Sequence, residues 1–189
     1  MLTPSALQLP PLALYVHIPW CVQKCPYCDF NSHAQKQAIP EAEYVSALLD
    51  DLSADLAFVA GRTLSSIFIG GGTPSLFSAQ AIGQLLAGIQ ERIPFDDNIE
   101  ITLEANPGTV EAGRFAGYQS AGVNRFSIGV QSFNPLHLQK LGRIHDPAQA
   151  VAAAHQASAL KLRSFNLDLM HGLPNQTLEQ ALDDLRQAI

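Results

Sequence analysis

The chain of 189 residues holds three cysteines, Cys21, Cys25 and Cys28, set in the short stretch Cys21-Val-Gln-Lys-Cys25-Pro-Tyr-Cys28. An odd number of thiols cannot all pair as disulfides, and close-set cysteines without a partner set usually bind metal or do redox chemistry. Two donor chemistries fit, beside the plainer case of three ordinary thiols. Structural zinc wants four closed ligands, and His17 or His33 would have to supply the fourth. A cubane iron–sulfur cluster has four irons, so three thiolates leave one iron open to an exogenous ligand.

A second landmark is Gly70-Gly71-Gly72-Thr73-Pro74. Glycines there let a ligand approach the backbone and permit positive φ, and Thr73 adds a hydroxyl. Such a turn is a weak signal alone, and it gains specificity from the cysteine loop one strand earlier.

The elements that must position these residues read as alternating strands and helices. Strands are expected at Leu12–Ile18, Ser65–Gly70, Asn98–Asn106, Asn124–Ser132 and Arg163–His171. The first ends at Pro19, and a cysteine loop runs on to about Ile39. Apolar positions Val45, Leu48, Leu49, Leu52, Leu56 and Val59 recur at helical spacing after Pro40, placed in the first turn, with Gly61 as a stop. Further helices are expected at Ser78–Arg92 with Ser78 as cap, from Thr109 to near Gly122, and from Pro147 to Leu160. A short helical turn spans Pro135–Leu141, and a last helix follows Thr177. Asp146 with Gln149 and Thr177 with Gln180 fit capping pairs. Strands alternating with helices imply a parallel sheet. With no Rossmann fingerprint and no Walker lysine, a partial β/α barrel is the expected fold, cut short after about five βα units. Residues 1–11 read as an irregular lead-in and 12–189 as a core domain incomplete at its C-terminus, because the chain stops at Ile189 inside an amphipathic segment.

Strand alternation separates a helix-facing side from an interior side. Ile99, Ile101, Leu103 and Ala105 oppose Glu100, Thr102, Glu104 and Asn106; Phe126, Ile128 and Val130 oppose Arg125, Ser127, Gly129 and Gln131. In the fifth strand Phe165, Leu167 and Leu169 oppose Asn166, Asp168 and Met170, and in the first Leu14, Val16 and Ile18 oppose Ala13, Tyr15 and His17. An ordinary barrel interior is packed with branched apolar residues. This one presents Glu104, Gln131 and Asp168 near the carboxyl ends of their strands. Polar groups there need partners or a ligand, so the lumen is either a hydrogen-bonded structural network or a polar ligand site.

Bulk properties exclude several classes. A formal net charge of −6 without any Lys/Arg cluster argues against a nucleic-acid surface. No stretch approaches the ~18 apolar residues of a transmembrane span. Residues 1–11 lack the basic start of a secretory signal, and clustered free thiols suit a reducing, cytoplasmic setting.

Together these residues resemble the radical SAM superfamily, whose signature is C-x3-C-x2-C with an aromatic before the last cysteine. Tyr15-Val-His-Ile-Pro-Trp-Cys21 and Gly70-Gly-Gly-Thr-Pro74 are similar to the group containing coproporphyrinogen dehydrogenase (HemN) and HemW. Glu104-Ala-Asn-Pro107, Val130-Gln-Ser-Phe133, Leu141-Gly-Arg-Ile-His145 and Asp168-Leu-Met-His-Gly-Leu-Pro174 extend the likeness across nearly the whole chain.

The resemblance implies a 4Fe-4S cluster on Cys21, Cys25 and Cys28, with S-adenosylmethionine chelating the open iron. It further implies that Tyr15 and Tyr27 lie beside this cofactor and that Gly71, Gly72 and Thr73 meet its methionine end. Glu104, Gln131, Arg143 and Asp168 match the remaining contact positions; Arg143, in a loop, could otherwise be an exposed charge. An electron donor would then let the cofactor be cleaved to a 5′-deoxyadenosyl radical.

Within the group, the dehydrogenase has a further Cys two places after the third ligand, where Phe30 stands here. Phe30, with Trp20 and the run Asp29-Phe30-Asn31-Ser32, is similar to the HemW branch. That branch implies a heme chaperone that passes heme to an acceptor protein, with catalytic turnover in doubt. An oxygen-independent coproporphyrinogen III oxidase of porphyrin biosynthesis is the alternative, and a zinc-stabilised binding module a third. His171 departs from the group's usual Tyr; it reads either as a heme axial ligand or as a polar substitution with a backbone partner.

Overall fold

A computed structural model describes residues 9–109 and 112–189. In chain order it contains β1 (Leu12–Ile18), β2 (Trp20–Cys21), β3 (His33–Ala34), α1 (Glu41–Val59), β4 (Leu64–Gly71), α2 (Ala79–Arg92) and β5 (Phe95–Ala105). Then follow α3 (Ala112–Ser120), β6 (Arg125–Gln131), α4 (Pro135–Lys140), α5 (Pro147–Ala159), β7 (Ser164–Leu169) and α6 (Leu178–Ala188). Five strands form one parallel sheet in the order β1-β4-β5-β6-β7. Consecutive parallel neighbours joined through helices are the βαβ arrangement, and the sheet does not close, so the expected partial barrel is what is found.

Several boundaries lie within a residue or two of the sequence expectation, and the differences have local causes. α1 begins at Glu41, so Pro40 is its cap residue rather than part of its first turn, with its carbonyl accepting from Tyr44 N at 3.0 Å. The helix stops at Ala60 (φ 54°) and Gly61 (φ 72°), two successive left-handed residues. Ser78 caps α2 by accepting from Ala81 N at 3.1 Å, and Asp146/Gln149 and Thr177/Gln180 form reciprocal capping boxes. The expected Thr109 cap leads into residues 110 and 111, which lie outside the described residues. The two-residue pairing of β2 with β3 was not expected; it folds the cysteine loop back through His33 N to Pro19 O (2.8 Å) and Gln35 N to Cys21 O (2.7 Å).

The core lies between the sheet and its helices. Ile67, Ile69, Leu103, Phe126, Ile128 and Val130 pack against Ile82, Leu85 and Ile89 of α2, Phe115 of α3 and the alanine face Ala150, Ala153, Ala157 of α5. Each fully buried Ile, Leu or Phe contributes about 1.5–3 kcal/mol, which fixes the side of the sheet that faces the helices. The opposite, polar side is thereby turned into the lumen.

Candidate active site

A cavity of about 580 Å³ opens at the carboxyl ends of the strands, within the roughly 300–1,000 Å³ range of ligand pockets. Cys21, Cys25 and Cys28 line it from the loop after β1, Gly71, Gly72 and Thr73 from the turn after β4, and Glu104 from the end of β5. Gln131 closes β6, Asp168 comes from β7, Arg143 from the turn after α4, and Tyr27 from the cysteine loop. Every residue expected to hold the cluster or touch S-adenosylmethionine is therefore brought together except Tyr15. That ring is more than half exposed, stacks on Phe68 (centroids 6.2 Å apart) and bonds His17 Nδ1 at 3.1 Å outside the cavity wall.

The glycine turn is dictated by close approach. Gly71 has φ 120°, and a Cβ at Gly72 would lie 2.6 Å from the Trp20 carbonyl oxygen. Gly72 N donates to Ile18 O and Thr73 N to Trp20 O, both at 2.7 Å, so the turn is bolted to the strand that carries the cysteine loop. Gly71 N donates to Glu104 Oε2 at 3.1 Å. Burial raises the Glu104 pKa, the Gly71 N–H opposes the shift, and the Asp168 charge adds to it.

Arg143 is not an exposed charge. Its guanidinium donates to Cys25 Sγ at 3.6 Å, to Gly129 O at 2.7 Å and to Asn106 Oδ1, while Nε is buried without a partner among the described residues. Asn106 Nδ2 in turn donates to Thr73 Oγ1 at 3.1 Å. Gln131 sits at φ 68°, where the β6–β7 register shifts, a strained backbone held by Met170 N donating to its carbonyl at 2.9 Å.

The interior face divides into two tiers. In the lower tier Arg125, Thr102, Ser127 and Asn166 bond one another, and Arg125, Ser127 and Asn166 also line the cavity; in the upper tier Glu104, Gln131 and Asp168 line it, with Asp168 accepting from Ser127 and Asn166. The polar face is thus a hydrogen-bonded network that also lines the cavity. Asn106, Arg125, Ser127 and Asn166 were visible in the alternation but not selected, because polarity alone does not tell a supporting residue from a contacting one. His171 is exposed and is not among the residues lining the cavity.

The radical SAM superfamily pattern matches residues 15–188. The chain belongs to the radical SAM superfamily. It is 68% identical to the Heme chaperone HemW of Haemophilus influenzae over 96% of this chain and 49% of that protein. Against the Heme chaperone HemW of Escherichia coli it is 64% identical over 97% of this chain and 48% of the relative. Among solved structures, the radical SAM coproporphyrinogen III oxidase HemN of Escherichia coli superposes with a TM-score of 0.84 at 33% identity, over 94% of this chain and 41% of that one. This radical SAM chain thus spans about half the length of the curated relatives it matches.

Superfamily membership implies a 4Fe-4S cluster and S-adenosylmethionine, and the donor set fits them. All three thiols are free and line one cavity. Among the described residues no three His, Cys, Asp or Glu side chains gather closely enough to hold a single ion. The histidines that could complete a zinc site are engaged elsewhere: His17 Nε2 bonds Asn31 O at 2.8 Å and His33 Nε2 bonds Asn31 Oδ1 at 3.1 Å. No helix among the described residues is long and apolar enough to cross a membrane.

Proposed function

We propose that residues 12–189 are the incomplete core of a HemW-like heme chaperone, set in the cytoplasm, that binds heme and hands it to an acceptor protein. The observation that carries this reading is the convergence of the three free cysteines, the glycine turn and the strand-end polar residues on one cavity, in a chain 68% identical to a HemW.

Cys21, Cys25 and Cys28 would hold the cluster. When bound, the cluster and S-adenosylmethionine together supply one-electron reductive cleavage of a sulfonium, with the electron drawn from an external donor. The chain's own residues do the rest. The Gly71–Thr73 turn brings backbone close to the methionine end, and Glu104 and Asp168 place two carboxylates beside one cavity, where a cationic guest relieves their mutual repulsion. Arg143 lines the cavity with a guanidinium, a cation suited to a carboxylate. Gln131 extends an amide from its strained position, Tyr27 borders the cluster loop, and Tyr15 stands at the outer margin.

The test uses the full-length protein reconstituted anaerobically. Four irons and four sulfides per chain, an EPR spectrum that changes on adding S-adenosylmethionine, and heme uptake without porphyrinogen turnover support the proposal. Zinc without sulfide would sink it. A second reading, oxygen-independent coproporphyrinogen III oxidase, is favoured by the superposition on HemN. Conversion of coproporphyrinogen III to protoporphyrinogen by the loaded protein would select it.

A further inference from the structure

We propose that Arg125 is a positioning residue for cofactor binding, holding Asp168 in its ligand-ready orientation through the amide of Asn166. The inference rests on the reading of the cavity as an S-adenosylmethionine site.

Arg125 opens β6, in register with Thr102 of β5 and Ser164 of β7, a tier below Asp168. Its Nη1 donates to Thr102 Oγ1 at 3.2 Å and its Nη2 to Asn166 Oδ1. A guanidinium has no acceptor, so the Asn166 oxygen is the atom that must face it. The Asn166 NH2 group is then committed the other way, to Asp168 Oδ1 at 2.6 Å and Ser127 Oγ at 3.0 Å. The Ser127 hydroxyl gives its proton to Asp168 Oδ2 at 2.8 Å. Both oxygens of Asp168 are thus held by donors, each has capacity for a further hydrogen bond, and the residue lines the cavity.

The decisive point is the near symmetry of an amide. Turned over, Asn166 has almost the same shape but presents an oxygen to the Asp168 carboxylate. Two acceptors at 2.6 Å repel, and the carboxylate would have to rotate off its bonds. Arg125 selects the useful orientation, because only one face of the amide can accept from it.

The experiment is calorimetric titration of S-adenosylmethionine into anaerobically reconstituted full-length protein. Arg125→Met should weaken binding about tenfold while iron and sulfide content stay at parental levels, and Arg125→Lys should recover most of the loss. In an Asp168→Asn background the same Arg125→Met change should add less than about twofold, because the group it positions is gone. Unchanged affinity in Arg125→Met, or an equal loss in both backgrounds, overturns the inference; the second result would mean a direct contact or general damage. Should Arg125→Met not fold, Asn166→Ala is read in the same cycle: loss confined to the Asp168 background supports the link, and equal loss breaks it. A parent protein with no affinity for S-adenosylmethionine would instead overturn the reading of the cavity, and this inference with it.

Discussion

Arg143 Nη1 donates to Cys25 Sγ at 3.6 Å, joining the turn after α4 to the cysteine loop after β1. A hydrogen bond to a ligating sulfur favours the more negative, reduced state of an iron–sulfur cluster and so raises its potential. Arg143→Gln in the reconstituted full-length protein should therefore keep its iron and sulfide while the midpoint potential falls. A redox titration followed by EPR measures this. An unmoved potential would show that the sulfur contact has no part in the loaded state.

Cys25 stands half-exposed in a loop away from the sheet–helix core, and its side chain supports no packing there. Cys25→Ala should abolish cluster assembly, with iron and sulfide at background, yet leave the apo-protein's thermal unfolding within about 0.5 kcal/mol of the parent. Metal analysis beside circular dichroism separates the two effects. A stable variant that still holds four irons would remove Cys25 from the ligand set.

Much of this architecture was legible because local rules and global fold agree. Alternation in β5 and β6 sorts Leu103, Ile128 and Val130 from Glu104, Ser127 and Gln131 without any knowledge of the fold, and the capping pairs at Asp146 and Thr177 are written in residue type alone. What was not legible depends on reach across the lumen. The sequence offers no sign that Arg125 is paired with Asn166, 41 positions later, or that Asn106 links Thr73 to Arg143. Tyr15 shows the same limit: its strand face was read correctly, but its ring is drawn onto Phe68 and His17 at the margin. The positive φ of Gln131 was equally hidden, since nothing in a Gln residue announces it.

The glycines make a paired test. At Gly72 an added Cβ would meet backbone, the Trp20 oxygen at 2.6 Å, which cannot swing aside. At Gly83, inside α2, it would meet Ala121 Cβ at 3.6 Å and Ala121 Cα at 3.9 Å, both ordinary contacts. Gly72→Ala should cost about 1–3 kcal/mol and weaken S-adenosylmethionine binding, whereas Gly83→Ala should gain about 0.5–1 kcal/mol from helix propensity. Urea unfolding of both variants checks the contrast. Equal effects would mean that the turn relaxes more freely than its bonds to β1 and β2 allow.

His145 gives the fold an acid-labile point. Its ring is buried and Nε2 donates to Val130 O at 3.0 Å, leaving Nδ1 without a partner among the described residues. Its pKa is lowered from 6.5 to about 4, chiefly by burial and next by the Arg143 charge, with the Val130 bond and Asp146 opposing the shift. The folded pKa lies below the unfolded one, so as pH falls the unfolded chain takes up the proton first. Stability from this group is therefore complete above pH 6.5, declines as the pH drops toward 4, and changes no further below it. The loss is at most about 3 kcal/mol at ~1.36 kcal/mol per pKa unit. His145→Gln keeps a donor for the Val130 carbonyl but cannot titrate. Urea unfolding of the full-length protein at pH 7 and pH 5 should show a smaller drop in the variant than in the parent. Equal drops would show that His145 is not the source of the acid sensitivity.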